Sequence, residues 1–227
     1  MCCAAPYRPV SLVRVLLRKR TRQRPVPAMK LLPLDSPQLL ELAAGWLGRQ
    51  ENSKWLDFGH GVHVLSPLAL KIMTQRDLHV LRAYTPDESD VPIGLVALSN
   101  VDRGSKTASS LWAVLGRKHS WALARRAASK LLTLAFTELG LEVVGAWVVE
   151  NHWSARRALE QLNFHYIGRQ RRCHWIDGRP YDRLLYDLLA TDHQDTPLRG
   201  VAHEYLRAAP PPSLRFVARR QERPPAS

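Results

Sequence analysis

The chain has 227 residues, of which 45% are apolar and 23% charged, so it can bury a core and wholesale disorder is not expected. This length suits one domain with extensions and is too short for two full-sized domains. The formal net charge of +13 points to a polyanion-binding protein only if that charge is spread over the domain.

The positive charge is concentrated at the N terminus. Residues 1–28 hold seven basic and no acidic residues. Residues 29–191 hold 20 basic and 16 acidic residues, and residues 192–227 hold six basic and four acidic residues. A basic arm of this kind is typical of a solvated tail, a targeting segment or a nucleic-acid contact. We favour the solvated tail, and nucleic acid remains an alternative partner that is not favoured.

Three features predict the environment of the protein. No apolar run reaches the roughly 18 residues of a membrane span, so we expect a soluble protein without a membrane partner. The cysteines, Cys2, Cys3 and Cys173, lack the paired spacing of a disulfide framework or a thiolate zinc site. We therefore predict a reducing, cytoplasmic location and no bound metal; His60 and His63 lack an evident third ligand.

The composition divides the chain into three parts. Residues 1–28 are predicted to be a disordered basic extension, residues 29–191 the folded domain, and residues 192–227 a tail rich in proline and arginine. A transit peptide is the alternative for the first part. Met29 opens a strand-like run, and we favour it as the true start. A short helix is expected near residues 201–207.

The domain begins with a strand and two helices. After the strand at 30–34, Ser36-Pro37 and Ser66-Pro67 each combine an N-cap residue with proline at the first helical position. Three strand-like runs follow at 78–84, 93–99 and 109–115, separated by turn residues, and predict an antiparallel meander.

The second half begins with the longest helical pattern, capped by Ser120 and ended by Gly140. The apolar strand at 143–149 comes directly after a helix, which predicts a parallel neighbour in the sheet. A helix at 154–162 precedes two strands joined by Asp177-Gly178, a type I′ hairpin signal.

This order of elements, with its residues, resembles the GNAT superfamily of acyl-CoA N-acyltransferases, and most closely its ribosomal-protein N-acetyltransferase-like branch. The resemblance covers residues 29–190. Its most specific part is an ordered set of short motifs: Leu139-Gly140-Leu141, the strand at 143–149, Glu150-Asn151-x-x-Ser154, Leu159-Glu160-x-Leu162-x-Phe164, Gly168, Asp177-Gly178-Arg179, Asp182 and Tyr186.

The resemblance implies an α/β fold with a mixed, mostly antiparallel sheet of six or seven strands, splayed at its centre, and about four helices. It implies an enzyme that moves an acetyl group from acetyl-CoA to a small-molecule or peptide amine by direct attack on the thioester, as a monomer or homodimer. Two alternatives stay open: a GNAT-fold module that binds acyl-CoA or a protein without turnover, and a nucleic-acid-associated protein that uses the basic arm.

The resemblance also implies the site residues. The main chain of the splayed strand and the start of the long helix would bind acetyl-CoA together with an asparagine: Val114, Leu115, Gly116, Ser120, Trp121, Ala122, Leu123, Ala124 and Asn151. Glu150 is the candidate base for the amine, and Ser154 would lie near the departing thiolate. A helix-capping role for Asn151 and Ser154 and a purely structural role for Glu150 remain alternatives. His174 is a further candidate for assisting proton transfer, and a structural role is favoured for it.

The sequence departs from the family at three places. The segment Ser120-Trp121-Ala122-Leu123-Ala124 stands where the family usually carries glycines that let the backbone approach the phosphates. Ser109 occupies the place where many relatives have a glutamate, and Asn163 replaces a common glycine. These departures concern CoA binding, proton removal and the local alignment rather than the fold.

Overall fold

The computed structural model describes residues 29–59, 61–87, 89–116 and 121–194. The N-terminal extension, most of the C-terminal tail with its expected helix at 201–207, His60, and the segment from Arg117 to Ser120 lie outside the described residues. The three-part division of the chain therefore remains a prediction.

The described residues form one seven-stranded sheet and five helices. The strands are β1 (Met29–Pro33), β2 (His79–Pro86), β3 (Gly94–Asp102), β4 (Thr107–Leu115), β5 (Val143–Val149), β6 (His165–Ile176) and β7 (Arg179–Leu189). The helices are α1 (Pro37–Leu47), α2 (Gln50–Ser53), α3 (Pro67–Thr74), α4 (Trp121–Thr137) and α5 (Trp153–Gln161). None of these helices combines the length and apolarity that crossing a bilayer requires.

The strand order is β1-β2-β3-β4-β5-β7-β6, with every neighbouring pair antiparallel except β4 and β5. The predicted meander and the predicted parallel neighbour of the strand at 143–149 are both confirmed. The predicted fold class is an α/β fold with a mostly antiparallel sheet of six or seven strands and about four helices. It is confirmed, because the sheet has seven strands and four of the five helices have eight residues or more.

Local signals in the sequence account for the element ends. Ser36 and Ser66 each accept a hydrogen bond from a first-turn N–H, at 3.2 and 3.1 Å, and proline follows each of them. At the hairpin, Asp177 and Gly178 have φ angles of 49° and 73°, the left-handed values that a type I′ turn requires. Asn163 has a φ of 66°, which explains how asparagine can stand where relatives have glycine.

Helices cover both faces of the sheet and create two apolar cores. Helix α4 and part of α5 pack on one face, where Ala127, Leu131 and Ala135 are fully buried. Helices α1 and α3 and the segment after α2 pack on the other face, around Trp46 and Leu70. The sheet is therefore held from both sides.

Candidate active site

The parallel strands β4 and β5 are joined only at their beginnings. Their pairing consists of Thr107 with Val143 and Ala108 with Val144. Gly145 marks the end of this paired part, because a Cβ atom built on it would lie 2.6 Å from the carbonyl oxygen of Ser109. Beyond that point the strands diverge, and we call the gap between their C-terminal halves the β4–β5 opening.

Main-chain groups line the β4–β5 opening on the side of β4. The N–H of Gly116, just after β4, bonds to the carbonyl of Ile93, just before β3, at 2.9 Å, and successive strand residues alternate in direction. Leu115 and Ala113 therefore direct their main-chain groups toward the opening, whereas Val114 directs its own toward β3. The Leu115 carbonyl accepts a bond from Asn52 Nδ2 at 3.1 Å.

Strand β5 lines the other side in the same way. Glu150 donates its N–H to the carbonyl of Asp182 at 3.0 Å, across the edge that β5 shares with β7. By alternation, Trp147 and Val149 direct their main-chain groups toward the opening. Each side of the opening therefore presents main-chain N–H and C=O groups that form no hydrogen bond to a neighbouring strand.

The start of α4 lies beside the opening. Trp121, Ala122 and Leu123 are half-buried, and Ala124 is buried. These residues form the first turn of the helix and none has a positive φ, so alanine fits where the family has glycine without backbone strain. Ser120, the predicted cap, lies outside the described residues.

The predicted catalytic residues lie at the other rim, between β5 and α5. Glu150 is half-buried, and its Oε1 accepts the N–H of Asp182 at 3.0 Å, which uses one of its two carboxylate oxygens. Asn151 and Ser154 are exposed. Neither is the cap of α5, because His152 occupies the N-cap position and makes no side-chain capping bond.

An aromatic stack connects three segments at this rim. The rings of Trp55 and His152 are parallel at a centroid distance of 4.2 Å, and Trp121 meets His152 edge-on at 5.6 Å. Burial, with a smaller effect of the positive charge of Lys54, lowers the pKa of His152 to about 4. His152 is therefore neutral at pH 7, and it packs as an aromatic ring between α4, α5 and the segment after α2.

A polar cluster lies on the face of the sheet covered by α1 and α3. Arg183 on β7 forms a short ion pair with Asp57, and its guanidinium lies 4.1 Å from the centre of the Trp147 ring. His174 on β6 is 1% exposed; its Nε2 lies 2.8 Å from the Lys54 carbonyl and its Nδ1 lies 3.1 Å from Arg183. Both ring nitrogens of His174 are thus occupied, so its geometry favours the structural role.

Several residues at the site were not predicted from the sequence. Asn52 and Arg49, which bond to the carbonyls of Leu115 and Gly116, and Trp55 and Asp57 all come from the segment in and around α2. That segment has neither a clear period nor a motif, and its α2 helix is only four residues long. No local signal could have placed it against β4 and the hairpin.

Other surface features lie away from the opening. One concavity of about 320 Å³ is lined by residues that include Leu40 and Lys71. A second, of about 550 Å³, is lined by residues that include Asp77 and Ser109. Within the described ranges, no three His, Cys, Asp or Glu side chains are grouped as metal ligands would be.

Comparison with known proteins supports the fold. No protein-family model and no curated protein sequence matches the chain. Among solved structures, a spermidine N-acetyltransferase from Vibrio cholerae, in complex with CoA and spermine, superposes with a TM-score of 0.62 at 16% identity, over 72% of this chain and 96% of that one.

Two further structures agree. RimJ from Mycobacterium smegmatis, in complex with CoA-disulfide, gives a TM-score of 0.62 at 17% identity, over 74% of this chain and 84% of that one. A probable acetyltransferase superposes with a TM-score of 0.58 at 21% identity, over 72% of this chain and 93% of that one. The chain therefore has the fold of the GNAT acetyltransferases, as its sequence motifs predicted.

Proposed function

We propose that this protein is an N-acetyltransferase that moves the acetyl group of acetyl-CoA to a primary amine. The observation that carries this proposal is the β4–β5 opening, which lies beside the start of a long helix and presents peptide groups from two strands that form no hydrogen bonds within the sheet. The GNAT fold and the CoA complexes of its structural neighbours support the same function.

The opening suits the amide-containing arm of acetyl-CoA. Such an arm can exchange hydrogen bonds with the main chain of Ala113 and of Trp147. It can also accept from the N–H groups of Leu115 and Val149, whose carbonyls already accept bonds from Asn52 and His152. The diphosphate would lie at the start of α4, where the N–H groups of Trp121, Ala122 and Leu123 have no intrahelical acceptor. Exposed Asn151 would hold the arm from the opposite rim.

A main-chain donor on β4 would stabilise the reacting carbonyl. In a direct attack, the amine nitrogen bonds to the thioester carbon, negative charge develops on the carbonyl oxygen, and the C–S bond then breaks. An N–H of Leu115 or Ala113 faces the opening and can donate to that oxygen. A single donor of this type stabilises a transition state by about 3 to 4 kcal/mol.

Two protons must move during the reaction. The amine has to lose one before or during attack, and we assign its removal to Glu150, directly or through a water molecule. The carboxylate is suited to this because the Asp182 contact leaves its second oxygen available. Ser154, exposed in the first turn of α5, would return a proton to the departing thiolate.

The charges around the opening favour an acceptor of low positive charge. Asp57 is paired with Arg183, and Glu150 already accepts a main-chain N–H. Among the described residues, Lys54 lies over the Trp55 ring at 4.8 Å and has no carboxylate partner. We therefore expect a peptide α-amine or small monoamine to be a better acceptor than a polyamine, which needs uncommitted carboxylates.

The proposal is tested by ligand binding and turnover with the same protein sample. Acetyl-CoA at 100 times its Kd should stabilise the folded state by about 2.7 kcal/mol and raise the melting temperature. Thiol release should then depend on an amine, with dipeptides preferred to spermidine. Absence of stabilisation by acetyl-CoA would refute the function.

Glu150→Gln is expected to reduce kcat by about 100-fold at pH 7, because the amide cannot accept the proton of the amine. The melting temperature and the Kd for acetyl-CoA should change little, since an amide oxygen can still accept the Asp182 N–H. The matched control is Glu142→Gln, an exposed residue just before β5 whose carboxylate contacts Lys106. An unchanged kcat in Glu150→Gln would assign proton removal to another group.

A second candidate function is binding of acyl-CoA without turnover. It is favoured by one observation: Glu150 exchanges two hydrogen bonds with Asp182 on β7, at the edge of β5 that faces away from the opening. Stabilisation by acetyl-CoA with no thiol release across a broad amine panel would support it.

A further inference from the structure

The half-buried side chain of Asn52, in α2, joins the end of α1 to the end of β4. Its Nδ2 donates to the carbonyl oxygen of Trp46 at 2.8 Å and to that of Leu115 at 3.1 Å. An amide nitrogen carries two hydrogens, so it can serve both acceptors at once. One side chain therefore connects two elements that lie far apart in the sequence.

The Leu115 carbonyl needs a donor from outside the sheet. It is directed toward the β4–β5 opening and away from β3. Ala108 is the last residue of β4 that pairs with β5, and its partner is Val144. The same register would place Leu115 beyond Val149, where β5 ends. No residue of β5 can therefore donate to this carbonyl, and Asn52 supplies the missing donor.

The peptide group between Leu115 and Gly116 is fixed at both ends. Its oxygen accepts the amide bond described above, and its N–H donates to the carbonyl of Ile93 at 2.9 Å. Trp46, which is 1% exposed, packs so closely that a Cβ atom built on Gly116 would lie 2.2 Å from its ring. Arg49 adds a bond to the Gly116 carbonyl. The end of β4 thus has a defined geometry in the protein alone.

This geometry sets the direction of the Leu115 N–H. In an extended strand the N–H and C=O of one residue point to the same side, so both face the opening. Asn52 occupies the carbonyl, and the N–H is the group that Leu115 can offer to a ligand. A donor held in place beforehand stabilises a developing negative charge without the cost of reorienting during the reaction.

We propose that Asn52 is a positioning residue for acetyl transfer: through the Leu115 carbonyl it holds the Leu115 N–H as the donor to the carbonyl oxygen of the acetyl thioester. This inference rests on the proposed function, and it selects Leu115 rather than Ala113 as that donor. Asn52 acts through the main chain and is not itself a catalytic residue. Its loss should weaken an interaction that strengthens as the oxygen becomes negative, so the effect belongs in kcat.

The kinetic test uses Asn52→Leu, which removes the donor and keeps the size of the side chain. We expect kcat and kcat/KM for acetyl-CoA to fall about 10-fold each, while KM and Kd change by less than about twofold. Asn52→Gln keeps an amide donor and should recover part of the loss. Gln50→Ala, at an exposed position of the same helix, is the matched control and should keep wild-type kinetics.

A spectroscopic test separates positioning from folding. The stretching frequency of the acetyl carbonyl, labelled with ¹³C in acetyl-CoA, falls when an N–H donates to its oxygen. Binding to the wild-type protein should produce this shift, and binding to Asn52→Leu should produce a smaller one. Asn52→Ala lets water reach both main-chain carbonyls, so it is the second variant if Asn52→Leu does not fold, and the same reduction is expected.

The outcomes separate this inference from the proposed function. A folded Asn52→Leu protein with wild-type kcat, or a loss of acetyl-CoA affinity as large as the loss of kcat, would overturn the inference alone. An undiminished carbonyl shift in both variants would do the same and would assign the donor to Ala113. Failure of the wild-type protein to bind acetyl-CoA would overturn the proposed function as well.

Discussion

Asp57→Asn is expected to lower the free energy of unfolding by about 2 to 3 kcal/mol at pH 7. The substitution removes the carboxylate that pairs with Arg183, whose side chain is only 15% exposed and whose Nε has no partner among the described residues. The guanidinium would then remain over Trp147 without a counter-charge. Urea unfolding of the purified variant measures the loss.

A double variant provides the control for this prediction. Asp57→Asn/Arg183→Met removes both charges and leaves an apolar side chain against Trp147, so it should recover most of the lost stability. If the double variant is as unstable as Asp57→Asn, the unpaired charge is not the cause, and the loss must come from the Asp57 contact with the Gly59 N–H.

The Asp57 effect should also depend on pH. Burial would raise the pKa of Asp57, but the hydrogen bond from Arg183 and the N–H of Gly59 outweigh it, and the pKa lies below its usual value. The stability that the carboxylate contributes is therefore present above pH 4 and is lost as the pH falls through the folded-state pKa. The difference between wild-type protein and Asp57→Asn should shrink below pH 4.

Acidification from pH 7 to pH 4 is expected to cost the folded state about 3 kcal/mol through His152 alone. Its pKa is lowered to about 4 by burial, whereas the unfolded chain titrates near 6.5. Between these values the unfolded state binds a proton that the folded state does not, so stability is complete above pH 6.5 and falls toward pH 4. Unfolding titrations across this range measure the slope.

His152→Phe isolates this contribution because phenylalanine can still stack on Trp55 but cannot bind a proton. The variant should lose stability less steeply on acidification. Some slope should remain, since burial also lowers the pKa of His79 and of His174. A wild-type slope in His152→Phe, or an NMR titration midpoint of His152 near 6.5, would contradict the prediction.

Features governed by neighbouring residues could be predicted from the sequence. The serine caps of α1 and α3, the turn at Asp177-Gly178 and the order of the long elements all follow from short patterns, and the structure confirms them. The divergence of β4 and β5 was implied by the family resemblance, and the limited pairing of these strands agrees with it.

Features that join distant residues could not be predicted in this way. Asp57 and Arg183 are 126 positions apart, and His174 contacts the carbonyl of Lys54 across 120 positions. Neither pair belongs to a motif, because a salt bridge or a carbonyl contact constrains geometry rather than spacing. The sequence identified His174 as a residue of interest, but its two hydrogen-bond partners, which decide its role, depend on tertiary packing.

Strand β6 illustrates the same limit within one element. Alternation along a regular strand would direct Arg169 and Arg171 to one face. The pairing with β7 instead shifts between Gln170 and His174, and Arg172 has a φ of 53°, so the alternation is interrupted between them. Asp182 stabilises this irregularity by accepting the N–H of Arg172 at 2.8 Å.

Gly145 gives the gap between the two central strands its wedge shape. Only an α-carbon without a side chain lets the backbones touch at the apex, since even a methyl group would collide with the Ser109 carbonyl. Any larger residue would spread the strands where they are joined and turn a tapered cleft into a slot of even width. The width of this cleft at its narrow end therefore depends on the absence of a side chain at Gly145.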